Sequence, residues 1–118
     1  MVALMTKGPL LFVVLLASAS AAYAGASNFT LVNGTSAQLA DLSIRRAGTN
    51  DWKPLGAAPA AGTKGPMKFT DPDCAFDIRA TVPGTGAVTW TDVNLCDVKS
   101  VTLKRDQSAG AWVDYDQQ

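Results

Sequence analysis

The chain carries ten acidic side chains, every one of them Asp, and no His. Without His or Glu, the usual general base, histidine-centred triads, Glu-assisted zinc hydrolysis and histidine metal sites all fall away. What remains for catalysis is a pair of Asp carboxylates, which could hydrolyse a glycosidic bond if held about 5 to 9.5 Å apart in a cleft. Asp is equally the residue of turns and caps. In a short chain that reading takes precedence, so no catalytic residue is assigned.

The densest acidic group is Asp71, Asp73 and Asp77, and a hairpin closing between the two cysteines would bring Asp97 towards Asp73. Oxygen-rich clusters of this kind hold calcium, which makes Asp71, Asp73 and Asp97 the metal candidates. The run Asp71-Pro72-Asp73-Cys74-Ala75-Phe76-Asp77 lacks the third ligand and the Gly of an EF-hand loop. Solvated loop acids are therefore favoured, and no cofactor is expected. Asp77 and Arg79, two apart on one strand face, are placed so that they could pair with each other, for well under ~1 kcal/mol if exposed.

Three tryptophans raise a second chemistry, because a flat ring stacks on the apolar face of a sugar while neighbouring amides and carboxylates take its hydroxyls. Trp52, with Asn50 and Asp51, forms the contact set for such a glycan. It sits in irregular chain, where its ring is either exposed to a ligand or folded over to plug one end of the fold, the plug being favoured. Trp90 shares parity with Val88 and is expected in the core; Trp112, beside Val113, reads either way. The doublets Arg45-Arg46 and Lys104-Arg105 have no aromatic interleaving, so they read as solvated strand ends and no nucleic acid partner is implied. Asn28-Phe29-Thr30 and Asn33-Gly34-Thr35 match the N-glycosylation triplet, which matters only on a eukaryotic export route.

The elements that must position these residues are strands. Phe29 to Asn33, Leu42 to Arg46, Met67 to Thr70, Ala75 to Val82, Ala87 to Leu95, Val98 to Lys104 and Ala111 to Tyr115 are β-rich or alternate with period two, and Trp52 to Leu55 is a brief extended piece. Gly56 to Pro66 reads as an Ala, Gly and Pro loop. Val82-Pro83-Gly84-Thr85 has the residues of a type II turn, so a hairpin follows it. On the return strand the apolar set changes parity between Trp90 and Val93, which predicts a β-bulge near Thr91 and Asp92. No amphipathic helix is present. The expected fold is all-β: a small antiparallel, immunoglobulin-like sandwich of six or seven strands, with an open barrel as the alternative.

Cys74 and Cys96 are most simply one disulfide, closing a loop of about 23 residues for roughly 3 kcal/mol. A redox-active pair usually sits two residues apart, unlike these. The hairpin turn lies midway between them and brings both to its open end. The predicted bulge shifts the register, so the sulfurs are as well placed to meet through the flanking loops.

Residues 1–24 read as a cleavable secretory signal: Lys7, an apolar run from Leu10 to Ala17, then Ala22-Tyr23-Ala24, with the apolar run helical but too short to span a bilayer. Cleavage leaves one domain, residues 25–118, with nine basic and ten acidic side chains and a net charge of about -1. The protein is expected to be periplasmic or extracellular, without stable membrane insertion. Retention of the signal would instead tether the domain.

Phe29-Thr30-Leu31-Val32-Asn33, Leu42-Ser43-Ile44-Arg45, Trp52 with Leu55-Gly56, and Cys74-Ala75-Phe76-Asp77-Ile78-Arg79 with Leu95-Cys96 together resemble a loosely defined group of short exported bacterial proteins. That group has an F-x-L-x-N start, a lone Trp followed by L-G, a C-x-(F/Y)-D-I segment and a second Cys after a short hairpin. The likeness spans about residues 29 to 103 and implies an exported β domain, without a mechanism. Ser43 stands where the group often has an aromatic, and Lys53 where it often has Gly.

The leading expectation is thus a non-enzymatic exported protein that binds another protein or an envelope component through its loops or an unpaired edge strand. A carbohydrate-binding module using Trp52 is the alternative, and a small Asp-based hydrolase the third.

Overall fold

In the computed structural model, which describes residues 25–117, alternation with period two carries more than half of the described residues into strands. The expected export signal, residues 1–24, lies outside the described residues. Eight strands follow one another: β1 Phe29–Asn33, β2 Ala40–Arg46, β3 Lys53–Pro54, β4 Lys64–Met67, β5 Ala75–Val82, β6 Gly86–Asn94, β7 Val98–Asp106 and β8 Gly110–Gln117. They form two four-stranded sheets, ordered β4-β1-β7-β8 and β3-β2-β5-β6. Among the described residues there is no helix. The sheets share one core in a sandwich-like arrangement: Leu31, Val101 and Leu103 from the first meet Ile44, Ile78 and Trp90 from the second. Each large aliphatic side chain buried there contributes roughly 1.5 to 3 kcal/mol.

The ladder corrects three expectations. The strand count is eight rather than six or seven, because the two residues of β3 pair with Ser43 and Ile44. The first sheet is mixed rather than antiparallel, since β1 runs parallel to β7, with Leu31 opposite Val101. Hairpins dictate direction only between strands adjacent in sequence, and β1 and β7 are far apart. The strand expected at Met67 to Thr70 lies earlier, at Lys64–Met67, and takes up part of the presumed loop. Met67 is buried opposite Phe29, which sets this register, and Pro66 is tolerated because β4 is an edge strand. Phe69, outside the ladder, packs edge-to-face on Phe76 with ring centroids 5.0 Å apart.

The hairpin between β5 and β6 forms as its residues require. Thr85 N–H donates to the Val82 carbonyl at 2.9 Å, and Gly84 takes the positive φ of 80° that the turn imposes on this position. Phe76 faces Val93 and Ile78 faces Trp90, so Thr91 and Asp92 together oppose Asp77. This is the expected bulge, and it lets Trp90 and Val93 both reach the core despite their opposite parity. Trp90 also donates its Nε1–H to the Lys104 carbonyl on β7 at 2.8 Å, tying the two sheets together.

Just beyond the open end of this hairpin, Cys74 and Cys96 form a disulfide, with Cα atoms 5.1 Å apart. The sulfurs meet through residues flanking the strands, and Leu95 N–H closes the end by donating to the Cys74 carbonyl at 2.9 Å.

Candidate functional site

Four of the ten Asp residues serve backbone turns. Asp41, Asp92 and Asp97 occupy left-handed conformations with φ of 52°, 54° and 60°, which Asp tolerates better than most residues. Asp106 accepts the backbone N–H groups of Ser108 and Ala109 and the Ser108 hydroxyl, capping the turn between β7 and β8. The Ser108 hydroxyl and these amides hold its carboxyl below the usual range.

Asp71 and Asp73 do come together, but around a guanidinium. Arg46, at the end of β2, reaches Asp71 Oδ1 and Asp73 Oδ2 at 3.2 Å each. Asp71 Oδ1 also accepts the Asp73 backbone N–H at 2.8 Å. Burial pushes the Asp71 carboxyl up, yet the Asp73 amide and Arg46 outweigh it and hold the group below its ordinary value. The Asp71 hydrogen bond and charge, with Asp73, push the Arg46 guanidinium further up. Cys96 Sγ lies 3.7 Å from the Asp73 carbonyl oxygen, so the corner bearing Asp97 is a neighbour of this loop. Nevertheless, among the described residues no three of His, Cys, Asp or Glu form a group able to hold a metal. Of the calcium candidates Asp71, Asp73 and Asp97, the structure thus gathers the first two around Arg46, with the Asp73 amide on Asp71 Oδ1.

Asp77 does not pair with Arg79. Its Oδ2 accepts Arg45 Nε at 2.8 Å and its Oδ1 accepts the Asp92 backbone N–H at 3.1 Å. Cross-strand register decides this, because Arg45 on β2 stands directly opposite Asp77. Arg79 is then free to join Arg45 at the ring of Trp52, their guanidinium carbons lying 4.0 and 4.4 Å from its centroid. Trp52 is therefore half-buried on the outer face of the second sheet, neither plugging an end of the sandwich nor fully exposed. Asn50 Oδ1 accepts from Arg45 at 3.3 Å, while Asp51 pairs with Lys53 at 3.4 Å in solvent. Of the expected contact set, Trp52 and Asn50 thus gather around Arg45, while Asp51 stays with Lys53.

Beside it opens a pocket of about 270 Å³ with Ile44, Phe69 and Phe76 at its apolar floor and Arg46, Asp51 and Asp71 among its polar lining. Asp51 and Asp71 were legible as surface acids. The floor was not, since Phe69 reaches it only after leaving the ladder.

The larger apolar exposure lies elsewhere. Trp112 and Tyr115 are the exposed large hydrophobics of the described residues, at 42% and 40%, and both belong to β8, an edge strand. Tyr115 Oη accepts the Asn94 backbone N–H at 2.8 Å, which holds β8 beside β6. Trp112 shares a face with Asp114 and Asp116, opposite Lys104, Thr102 and Ser100 of β7. The sequence marked Trp112 as ambiguous and offered no sign that β8 ends a sheet.

The two glycosylation triplets differ. Asn28 is exposed, its Oδ1 accepting the Phe69 N–H, whereas Asn33 is fully buried and donates to the carbonyls of Ala37 and Pro59 at 2.9 and 3.0 Å. Comparison of the chain with protein-family models, with curated proteins and with solved structures finds no match.

Proposed function

We propose that this is an exported, non-enzymatic β protein that binds another protein or an envelope component through β8. One observation carries the reading: the two exposed large apolar side chains of the described residues, Trp112 and Tyr115, lie on the same edge strand. Trp and Tyr dominate protein interfaces, and an edge strand offers unpaired backbone groups to a second chain. The other edges suit this role less. β3 has two residues, β4 contains Pro66, and the bulge at Thr91 and Asp92 turns the edge of β6.

Export is supported by the Cys74–Cys96 disulfide, which persists in oxidising compartments, and by the resemblance to short exported bacterial proteins. Among the described residues no helix is long and apolar enough to cross a membrane. The non-enzymatic reading is supported by the commitment of the clustered carboxylates, Asp71 to the Asp73 amide and Arg46, Asp73 to Arg46 and Asp77 to Arg45 and the Asp92 amide. Two sheets around a buried tryptophan, Trp90, support an immunoglobulin-like architecture. The strand order here differs from the ABED and CFG sheets of that fold.

The test is capture from envelope extract by the wild-type domain and by Trp112→Ala. A partner retained by the first and lost by the second is expected. Equal capture by both would remove β8 from the reading.

A glycan-binding alternative rests on Trp52, half-exposed among Arg45, Asn50 and Arg79. A glycan array that stays silent, with tryptophan emission unmoved, would dismiss it.

A further inference from the structure

Six of the Asp side chains have work inside the fold. Asp51, Asp71, Asp73 and Asp77 pair with cations, Asp106 caps its turn, and Asp41 accepts from the Thr81 hydroxyl. The other four, Asp92, Asp97, Asp114 and Asp116, have no ion-pair or hydrogen-bond partner for their carboxylates among the described residues; Asp92 and Asp97 sit in left-handed turn positions, whereas Asp114 and Asp116 share one strand. The direct neighbours of Asp114 and Asp116 across the ladder are Thr102 and Ser100; the cation of β7 on this face, Lys104, stands opposite Trp112 and forms no ion pair with either Asp. Both Asp side chains follow Trp112 at two-residue spacing, so the edge strand shows one aromatic ring and two carboxylates without an ion pair along a single face.

A chain lying alongside β8 would repeat that spacing. Its alternate side chains would fall opposite Trp112, Asp114 and Asp116, where opposite charges add roughly 0.2 to 1 kcal/mol each and like charges subtract. A second copy of the protein fits badly, because two-fold pairing of β8 brings the same acids to one seam. An anionic membrane or a nucleic acid is repelled for the same reason.

Resting on the reading above, we propose that β8 takes, by strand addition, an extended segment of a partner protein in which Lys or Arg alternates with apolar residues. The basic side chains meet Asp114 and Asp116, an apolar one covers Trp112, and the backbone ladder supplies the rest.

The probe is a short synthetic peptide alternating lysine with valine, compared with its glutamate counterpart and with a backbone N-methylated lysine version. The full domain is expected to bind the lysine peptide at least about tenfold more tightly than the glutamate one, with affinity falling as salt rises. Asp114→Asn with Asp116→Asn should abolish that preference, and Asp114→Lys with Asp116→Lys should reverse it, both substitutions lying on the exposed face. Equal affinity for the lysine and glutamate peptides, or a preference unchanged in the Asn variant, would overturn the charge assignment. Undiminished binding of the N-methylated peptide would overturn strand addition, and a β8-mediated dimer that excludes the peptide would overturn the choice of occupant. If no peptide binds while Trp112-dependent capture from extract persists, this inference fails and the broader reading stands.

Discussion

The carboxylate of Asp77 on β5 accepts the backbone N–H of Asp92 at the bulge of β6, 3.1 Å away, while its second oxygen holds Arg45. One side chain thus satisfies the amide that the bulge removes from the ladder and anchors the guanidinium that supports Trp52. Asp77 is buried, so both bonds form where water competes poorly. Asp77→Ala should lower unfolding stability by about 2 to 3 kcal/mol, and Asp77→Asn by less, because the amide oxygen can still accept from Asp92. Denaturant titration of the three proteins checks the order. Equal losses for Ala and Asn would show that the amide contact contributes nothing.

Asn33 uses its whole hydrogen-bonding capacity inside the first sheet's end. Its Nδ2 serves the carbonyls of Ala37 and Pro59, and its Oδ1 accepts from the backbone and the hydroxyl of Thr35 at 3.0 and 2.6 Å. Replacement by Ala strands these groups, and a loss of about 3 kcal/mol is expected in thermal or urea unfolding. Asn33→Asp should be similarly costly, since a carboxylate cannot donate to two carbonyls. Because Nδ2 is buried, an occupied glycan at Asn33 in the folded protein is not expected; mass spectrometry after expression through a eukaryotic secretory route reads it directly.

Replacing Cys74 and Cys96 together by Ala should cost about 3 kcal/mol, by the loop-closure estimate. The bridge lies next to Asp73, so loosening it frees the loop that Arg46 gathers. Amide exchange in residues 71–73 and 95–97 should therefore rise more than in β7, which the bridge does not touch. Uniform change across the domain would count against this local coupling.

Acid should weaken the protein through Asp71 and Asp106, whose folded carboxyls lie below their ordinary values. A depressed group contributes stability that is fully present above its unfolded pKa and is lost as pH falls through the folded one. Stability should accordingly hold from neutral pH down to the ordinary carboxylate range, about pH 4, and then decline. Asp106→Asn should flatten part of that decline. An unfolding midpoint that starts to fall above pH 5, with the slope unchanged in the variant, would point to other groups.

Two-residue alternation in Ala75 to Val82, the Pro83-Gly84 turn and the switch of parity between Trp90 and Val93 determined from the sequence alone a hairpin, its bulge and a disulfide at its open end. These are local matters: each depends on backbone geometry within a few residues, or on a loop short enough for its ends to be placed by one turn. The sequence also restricted the chemistry, since a chain with Asp as its only acid and no His has few catalytic arrangements. Tertiary structure decided everything that depends on strands remote in sequence. Only the strand order, with β1 parallel to β7 on the side away from β8, shows that no strand covers β8 and that Trp112, Asp114 and Asp116 stand on an edge. Only the register of β2 against β5 gives Asp77 to Arg45 rather than Arg79, and so sets Trp52 on the sheet. Pairing partners are chosen by summed burial over the whole core, a quantity that no short window of residues contains.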